Sequence, residues 1–183
     1  MNSSAKERFG AIYVQAYDDL LRFVQRRLYA SDVGLAEDVV ADAMLTAWRR
    51  VDDLPCEVDD SRAWLFGIAR NCLLNSTRSL RRNDALGVRV AQVAPGVTAD
   101  AADSAVLHVD LGAAWSRLSS AEQEVIALSV FEGLTSPQAA VVLGITSGAF
   151  RIRLSRARTA LRRHLEGAAQ RPHENAPFEE TRP

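Results

Sequence analysis

Apolar residues recur at every third or fourth position through nearly the whole of this chain, and nowhere do they alternate over the length of a strand. A period of 3.6 places one face of a helix against a core, whereas a half-buried strand needs a period of two. The fold is therefore expected to be all-α. Phe9–Tyr29 carries apolar residues at Phe9, Tyr13, Tyr17, Leu20, Leu21 and Val24, and Leu35–Val51 and Arg62–Leu80 read as two further amphipathic helices. Leu54–Ser61 holds a proline among acids and reads as a loop. Ala85–Asp100 has Gly and Pro but no sustained period, which marks a linker. Helices are expected again over Ala101–Arg117, Ser120–Phe131, Pro137–Leu143 and Ser147–Leu165. Gly167–Pro183 is polar with three prolines and reads as a disordered tail. The pattern predicts two small helical domains, residues 1–83 and 101–166, joined by an acidic, flexible linker over 84–100, with a tail over 167–183.

The net charge of −1 over 183 residues excludes nothing by itself, but the charge is unevenly spread. Arg62, Arg70, Arg78, Arg81 and Arg82 lie in a stretch without acids, Ser61–Asn83. Asp84, Asp100, Asp103 and Asp110 then face Arg89 alone, and Phe150–Arg163 holds six arginines and no acid. Local basic patches on a neutral protein point to an anionic partner met at defined surfaces. Cys56 and Cys72 match no zinc or redox spacing, which leaves them as idle thiols in a reducing cytosol. The N-terminus has no secretory apolar core, and no apolar run is long enough to span a bilayer.

The segment LTSPQAAVVLGITSGAFRIRLSRARTAL reads as a helix-turn-helix. Thr135 or Ser136 caps a helix that Pro137 can open, Gly144 permits a left-handed turn, Ile145 plugs the core and Ser147 caps the second helix. On that second helix Phe150, Leu154, Ala157, Leu161 and Leu165 share one stripe. Ile152, Ser155 and Thr159 lie opposite, flanked by Arg151, Arg158 and Arg162 on one side and by Arg153, Arg156 and Arg163 on the other. Short side chains between two rows of cations suit a helix in a major groove, where base edges lie between phosphate walls. A merely solvated arginine-rich surface would not need the two-sided flanking or the capped helix before it.

In Arg62–Arg82 the apolar arc is Leu65, Ile68, Ala69, Cys72, Leu73 and Leu80, and Trp64, Asn71, Asn75, Arg78 and Arg82 lie opposite. Tryptophan stacks on bases, asparagine pairs with their edges and arginine holds phosphates. The same tryptophan could instead pack against a neighbouring helix, and the spacing does not choose between the two. In Leu35–Val51, Val39, Val40, Ala43, Met44, Ala47 and Val51 share the core face. Asp38, Asp42, Leu45 and Arg49 form a separate stripe, and a leucine among acids hints at a protein contact. These acids lack a nearby histidine or a convergent further ligand, so they make a poor metal site.

AEDVVADAMLTAWRR, RAWLFGIARNCLLNSTRSLRR and the segment LSSAEQEVIALSVFEGLTSPQAAVVLGI followed by GAFRIRLSRARTAL together resemble an extracytoplasmic-function sigma factor, a promoter-recognition subunit of bacterial RNA polymerase. The resemblance covers about Phe9–Asn83 and Ala101–Leu165. It implies a cytoplasmic, non-enzymatic protein without cofactor that binds core RNA polymerase at the β′ clamp and β flap, and also promoter DNA and an anti-sigma factor. Asp38, Asp42 and Leu45 would dock on the clamp. The loop Leu54–Ser61 with Trp64, Asn71 and Asn75 would capture an unstacked base of the melted −10 strand, and Arg78, Arg81 and Arg82 would hold its backbone. Arg151, Ile152, Arg153, Ser155, Arg156, Arg158, Thr159 and Arg162 would meet the −35 element. The acidic linker would lie near the path of nascent RNA.

Two other classes deserve comparison. A helix-turn-helix regulator acting without polymerase would be expected to carry a sensor or receiver domain, usually α/β. A nuclease would need a metal cluster or a nucleophile–base pair, and His108, His164 and His173 suggest neither.

Overall fold

The computed structural model of the chain describes residues 3–28, 33–80 and 110–169. All regular structure among them is helical: α1 (Ser3–Gln25), α2 (Val33–Arg49), a single 3₁₀ turn (Val51–Asp53), α3 (Val58–Leu80), α4 (residues 110–116), α5 (Ser120–Val130), α6 (Ser136–Leu143) and α7 (Ser147–Ala169). The expected linker over 84–100, Arg81 and Arg82, the start of the helix expected from Ala101, and residues 170–183 of the expected tail lie outside the described residues; the first three residues of that tail, 167–169, are instead the end of α7.

Helices α1, α2 and α3 pack on one another as a three-helix module. Its centre is Leu20, Phe23 and Val24 of α1, Val39, Val40 and Ala43 of α2, and Leu65, Phe66, Ala69 and Leu73 of α3, all buried. Phe23 and Phe66 stack with ring centroids 4.8 Å apart at 14°. Both are fully enclosed, so truncating either to alanine should cost about 3–5 kcal/mol. The expected α1 stripe is corrected at one position: Tyr13 is exposed, and Phe23 fills the core instead. Tyr13 stays on the rim, tilted against Phe9 and Tyr17.

The expected loop Leu54–Ser61 is shorter than its proline and acids suggest, because α3 already begins at Val58. Asp59 and Asp60 sit in its first turn, where acids complement the unpaired N–H groups and the positive end of the helix dipole. The remaining loop is tied down from both sides. Ser61 Oγ donates to Pro55 O at 2.9 Å, and Arg8 Nη2 donates to Leu54 O at 3.0 Å.

In the C-terminal module α7 packs on α5 and α6, with Phe150 fully buried. Ser119 and Glu122 form a capping box at the start of α5. Their bonds hold the Glu122 carboxyl below the usual carboxylate range. At α6, Thr135 N and Oγ1 donate to Gln138 Oε1 at 3.0 and 2.8 Å, and Pro137 lies in the first turn. Gly144 ends α6 with φ 65° and ψ 37°. Gly144 N donates to Val141 O at 3.2 Å and Ile145 N to Ala140 O at 3.0 Å, the two bonds of a Schellman motif, which needs a left-handed residue. One expectation is corrected here. Ser147 is the first helical residue, and Thr146 is the cap, its Oγ1 accepting from Ala149 N at 3.1 Å.

The two modules also touch. Helix α6 packs along α3, and a single cluster of buried residues runs from Leu20 and Phe66 through Val142 and Leu128 to Phe150.

Candidate nucleic-acid interface

Helix α7 presents the arrangement its sequence predicts. Phe150, Leu154 and Ala157 are buried, and Leu161 and Leu165 are half-buried. Arg151, Ile152, Arg153, Ser155, Arg156, Arg158, Thr159 and Arg162 are all exposed, with Ile152 57% accessible although it is aliphatic. Among the described residues no carboxylate pairs with any α7 arginine. Thr159 Oγ1 donates to Ser155 O at 3.0 Å, which fixes its rotamer on the outer strip. Arg158 turns back towards its own module, with Nη2 3.4 Å from Ser129 Oγ, and Arg153 borders a groove with Ser120, Glu124 and Arg70. The result is a rigid helix with unneutralised guanidinium groups on both flanks of a short-side-chain strip. Such a surface attracts phosphate and leaves room for base edges.

The second face lies on α3. Asn71 and Asn75 are exposed and share a side with Trp64. Trp64 is half-buried against the core cluster, with the Arg50 guanidinium 5.7 Å from its ring centroid. Arg78 falls on α3, but its side chain, like Arg81 and Arg82, lies outside what the structure describes. Half-buried Trp64 and exposed Asn71 face a groove rather than a flat surface. With Arg50 and Gly67 they form one wall of a groove of about 210 Å³, whose other wall is Val141 to Gly144 of the C-terminal module. Arg50 is a cation that the sequence reading missed. It lies beyond the periodic part of α2 and carries no signal of its own.

The third face lies on α2. Asp38, Asp42 and Leu45, at i, i+4 and i+7, share one exposed side, with Leu45 47% accessible. Trp48, one turn beyond Leu45, extends this surface and meets Phe9 edge-on at 5.3 Å. Its aromatic side chain was legible as apolar but not as exposed, because it borders the core stripe. Burial pushes the thiol of the nearby Cys72 up, aided by Asp42 and opposed by a bond to Thr46, so it is a poor nucleophile.

Among the described residues, no three His, Cys, Asp or Glu side chains converge as metal ligands, and no helix is long and apolar enough to cross a membrane.

Comparison with known proteins matches these modules in order. Residues 12–83 match the family model for sigma-70 region 2, and residues 108–161 match that for sigma-70 region 4. The ECF RNA polymerase sigma factor SigL of Mycobacterium tuberculosis is 32% identical over 157 residues, which is 85% of this chain and 88% of that protein. Among solved structures, CnrH in complex with the cytosolic domain of CnrY aligns with TM-score 0.56 and 27% identity, over 88% of this chain and 90% of that one. The sigma factor RpoE of Bartonella quintana, solved with the anti-sigma factor NepR, aligns with TM-score 0.61 and 25% identity, over 87% of this chain and 98% of that one.

Proposed function

The chain belongs to the sigma-70 family of RNA polymerase sigma factors, in its extracytoplasmic-function group, and from that premise we propose how its surfaces divide the work of initiation. Sigma factors direct transcription initiation and are not themselves catalysts. On this reading the chain acts in the cytoplasm, bound to core RNA polymerase and promoter DNA, and polymerase supplies all the chemistry. The domains are residues 1–83, which dock on core and open the −10 element, and 101–166, which read the −35 element.

The observation that carries this reading is the unpaired cation face of α7, displayed on a capped helix-turn-helix. It is joined in the same chain to an α3 face bearing Trp64, Asn71 and Asn75. Arg151, Ser155, Arg156 and Thr159 are assigned to base edges, and Arg153, Arg158 and Arg162 to phosphates, with Ile152 contributing an apolar contact to the groove floor. Trp64, Asn71 and Asn75 are assigned to an extruded base of the melted strand. Extrusion costs a few kcal/mol, which stacking and edge bonds must offset. Arg78, Arg81 and Arg82 are assigned to the adjacent backbone. Asp38, Asp42 and Leu45 are assigned to the β′ clamp, and the C-terminal module to the β flap. The anti-sigma factor NepR in the RpoE complex supports a similar partner for this chain.

A regulator independent of polymerase is disfavoured, because the chain matches sigma-70 region 2 where such a regulator would carry a sensor. Permanganate footprinting of promoter complexes tests the α3 assignment. Trp64→Ala or Asn71→Ala should reduce reactivity of unpaired thymines more than it reduces closed-complex binding. Unchanged reactivity would return Trp64 to a packing role.

A further inference from the structure

The groove beside Trp64 holds a cation that the −10 assignments leave unused. Arg50 directly follows α2, and its backbone is pinned on both sides. Arg50 N donates to Ala47 O at 3.1 Å, and Arg50 O accepts from Asp53 N at 2.9 Å. Val51, the next residue, is buried and anchors the 3₁₀ turn. The fold therefore sets where the Arg50 Cα stands, while its side chain stays 52% accessible.

The guanidinium is nevertheless directed. Arg50 Nε and Nη2 each lie 3.0 Å from Asp53 Oδ2, and Cζ stands 5.7 Å from the centre of the Trp64 ring. Two other arginines lie over rings, Arg27 at 3.6 Å from Phe23 and Arg62 at 4.7 Å from Phe66. Both of those also bond to Glu132 and serve the packing of the fold. Arg50 stands further off its ring. Among the described residues its one carboxylate partner is Asp53, itself 58% accessible. An ion pair so open to water contributes little and is easily exchanged. Arg70, the other cation lining the groove, is instead turned to Glu124, 3.6 Å away.

A base stacked on Trp64 presents its edge to whatever borders the ring. A guanidinium is a planar fork of N–H donors, so it pairs best with two acceptors side by side. Guanine offers O6 and N7, and an unpaired cytosine offers O2 and N3. Adenine and thymine set a donor between their acceptors and offer no such pair.

We propose that Arg50 is a specificity-determining residue of the −10 site. Its guanidinium, held beside Trp64 by Asp53, meets the edge of the base stacked on that ring and selects guanine or cytosine over adenine or thymine. This rests on the assignment of the α3 face to the melted −10 strand. Asp53 is a positioning residue, acting through the orientation of Arg50.

The test uses holoenzyme assembled from core polymerase and the full-length chain. A promoter from which wild-type holoenzyme initiates is located by run-off sequencing, its −10 segment is randomised, and the templates that yield transcript are sequenced. Wild type should favour guanine or cytosine at one position by about tenfold, within the range of one bidentate base contact. Arg50→Ala should erase that preference and leave the other positions unchanged. Arg50→Lys should not restore it, because an ammonium is a point charge without the fork. Asp53→Ala should blur the same position alone, since the guanidinium loses the acceptor that orients it.

An equal loss on all templates, restored by lysine, would mean a phosphate contact and overturns the proposal. An unchanged profile in Arg50→Ala overturns it as well, as does a wild-type profile without a guanine or cytosine position. Trp64→Ala separates this inference from its premise. If Trp64→Ala lowers permanganate reactivity of promoter thymines while Arg50→Ala keeps the preference, only the role of Arg50 is rejected. If Trp64→Ala opens the promoter normally, the α3 assignment falls and the Arg50 proposal falls with it.

Discussion

Arg27 and Glu132 are 105 residues apart in the chain, and Arg27 Nη1 lies 3.2 Å from Glu132 Oε1. The contact is rooted in the N-terminal core. The Arg27 guanidinium lies over Phe23 at 3.6 Å, Phe23 stacks on Phe66, and the Arg62 guanidinium lies over Phe66 at 4.7 Å. Both arginines reach the same glutamate, one at its carboxylate and one at its backbone carbonyl. The aromatic packing thus fixes where the cations point.

A double-mutant cycle measures that relationship. Arg27→Ala and Glu132→Ala should be non-additive in urea unfolding of the whole chain, with a coupling of about 0.5–3 kcal/mol, the range for residues sharing one charge network. Each single variant should be markedly destabilised, because it leaves a buried charge without its partner. Additive effects would contradict the contact.

Acid titration of stability tests the neighbouring pair. Burial tends to raise the Asp19 carboxyl, but hydrogen bonds and charge from Arg22 and Arg62 outweigh it and hold the group below its ordinary value. A depressed carboxyl binds fewer protons folded than unfolded. Its contribution is therefore complete above the unfolded value of about 3.9 and is lost as pH falls through the lower folded value. Urea midpoints measured from neutral pH down to about pH 3 should fall less steeply for Asp19→Asn than for wild type. Parallel curves would contradict the shift.

The α7 assignments separate on a duplex library at several salt concentrations. Arg162→Ala should weaken all sequences alike and lower the salt slope by about one, as for loss of one phosphate contact. Arg156→Ala should reorder the library, changing preference at one position by roughly 1–3 kcal/mol. The reverse pattern rejects the groove orientation.

The exposed α2 stripe is tested by co-purification. Asp42→Arg with Leu45→Arg should abolish retention by core polymerase, since it reverses charge and removes an apolar contact. Helicity should persist, because neither side chain faces the core. Normal retention would remove Asp38, Asp42 and Leu45 from the docking surface.

Much of this was written in local patterns. The period of α7 separates Phe150, Leu154 and Ala157 from the arginines, and Thr135 with Gln138 and then Gly144 mark the ends of α6. Such signals are local because a cap or a left-handed turn is satisfied within a few residues. The Thr146 cap was missed because Thr146 and Ser147 are adjacent residues of equal capping chemistry, and only the backbone decides between them. The covering of Trp64 and the burial of Arg27, Glu124 and Glu132 were not legible. Periodicity shows which face of a helix is apolar, not which distant helix covers it. A buried ion pair is spelled with the same residues as a solvated one. Glu124 sits in an apolar helix and Glu132 in a turn, and neither betrays that its partners lie on the other module.

Run-off transcription with purified core RNA polymerase, followed by sequencing of transcript ends, tests the central claim most directly. The chain should convert core from nonspecific to site-specific initiation, with starts lying downstream of a shared pair of elements at constant spacing. Arg156→Ala should change the upstream element and not the downstream one. If core with the chain yields no defined starts while the chain alone binds a duplex operator tightly, the protein is not acting as a sigma factor.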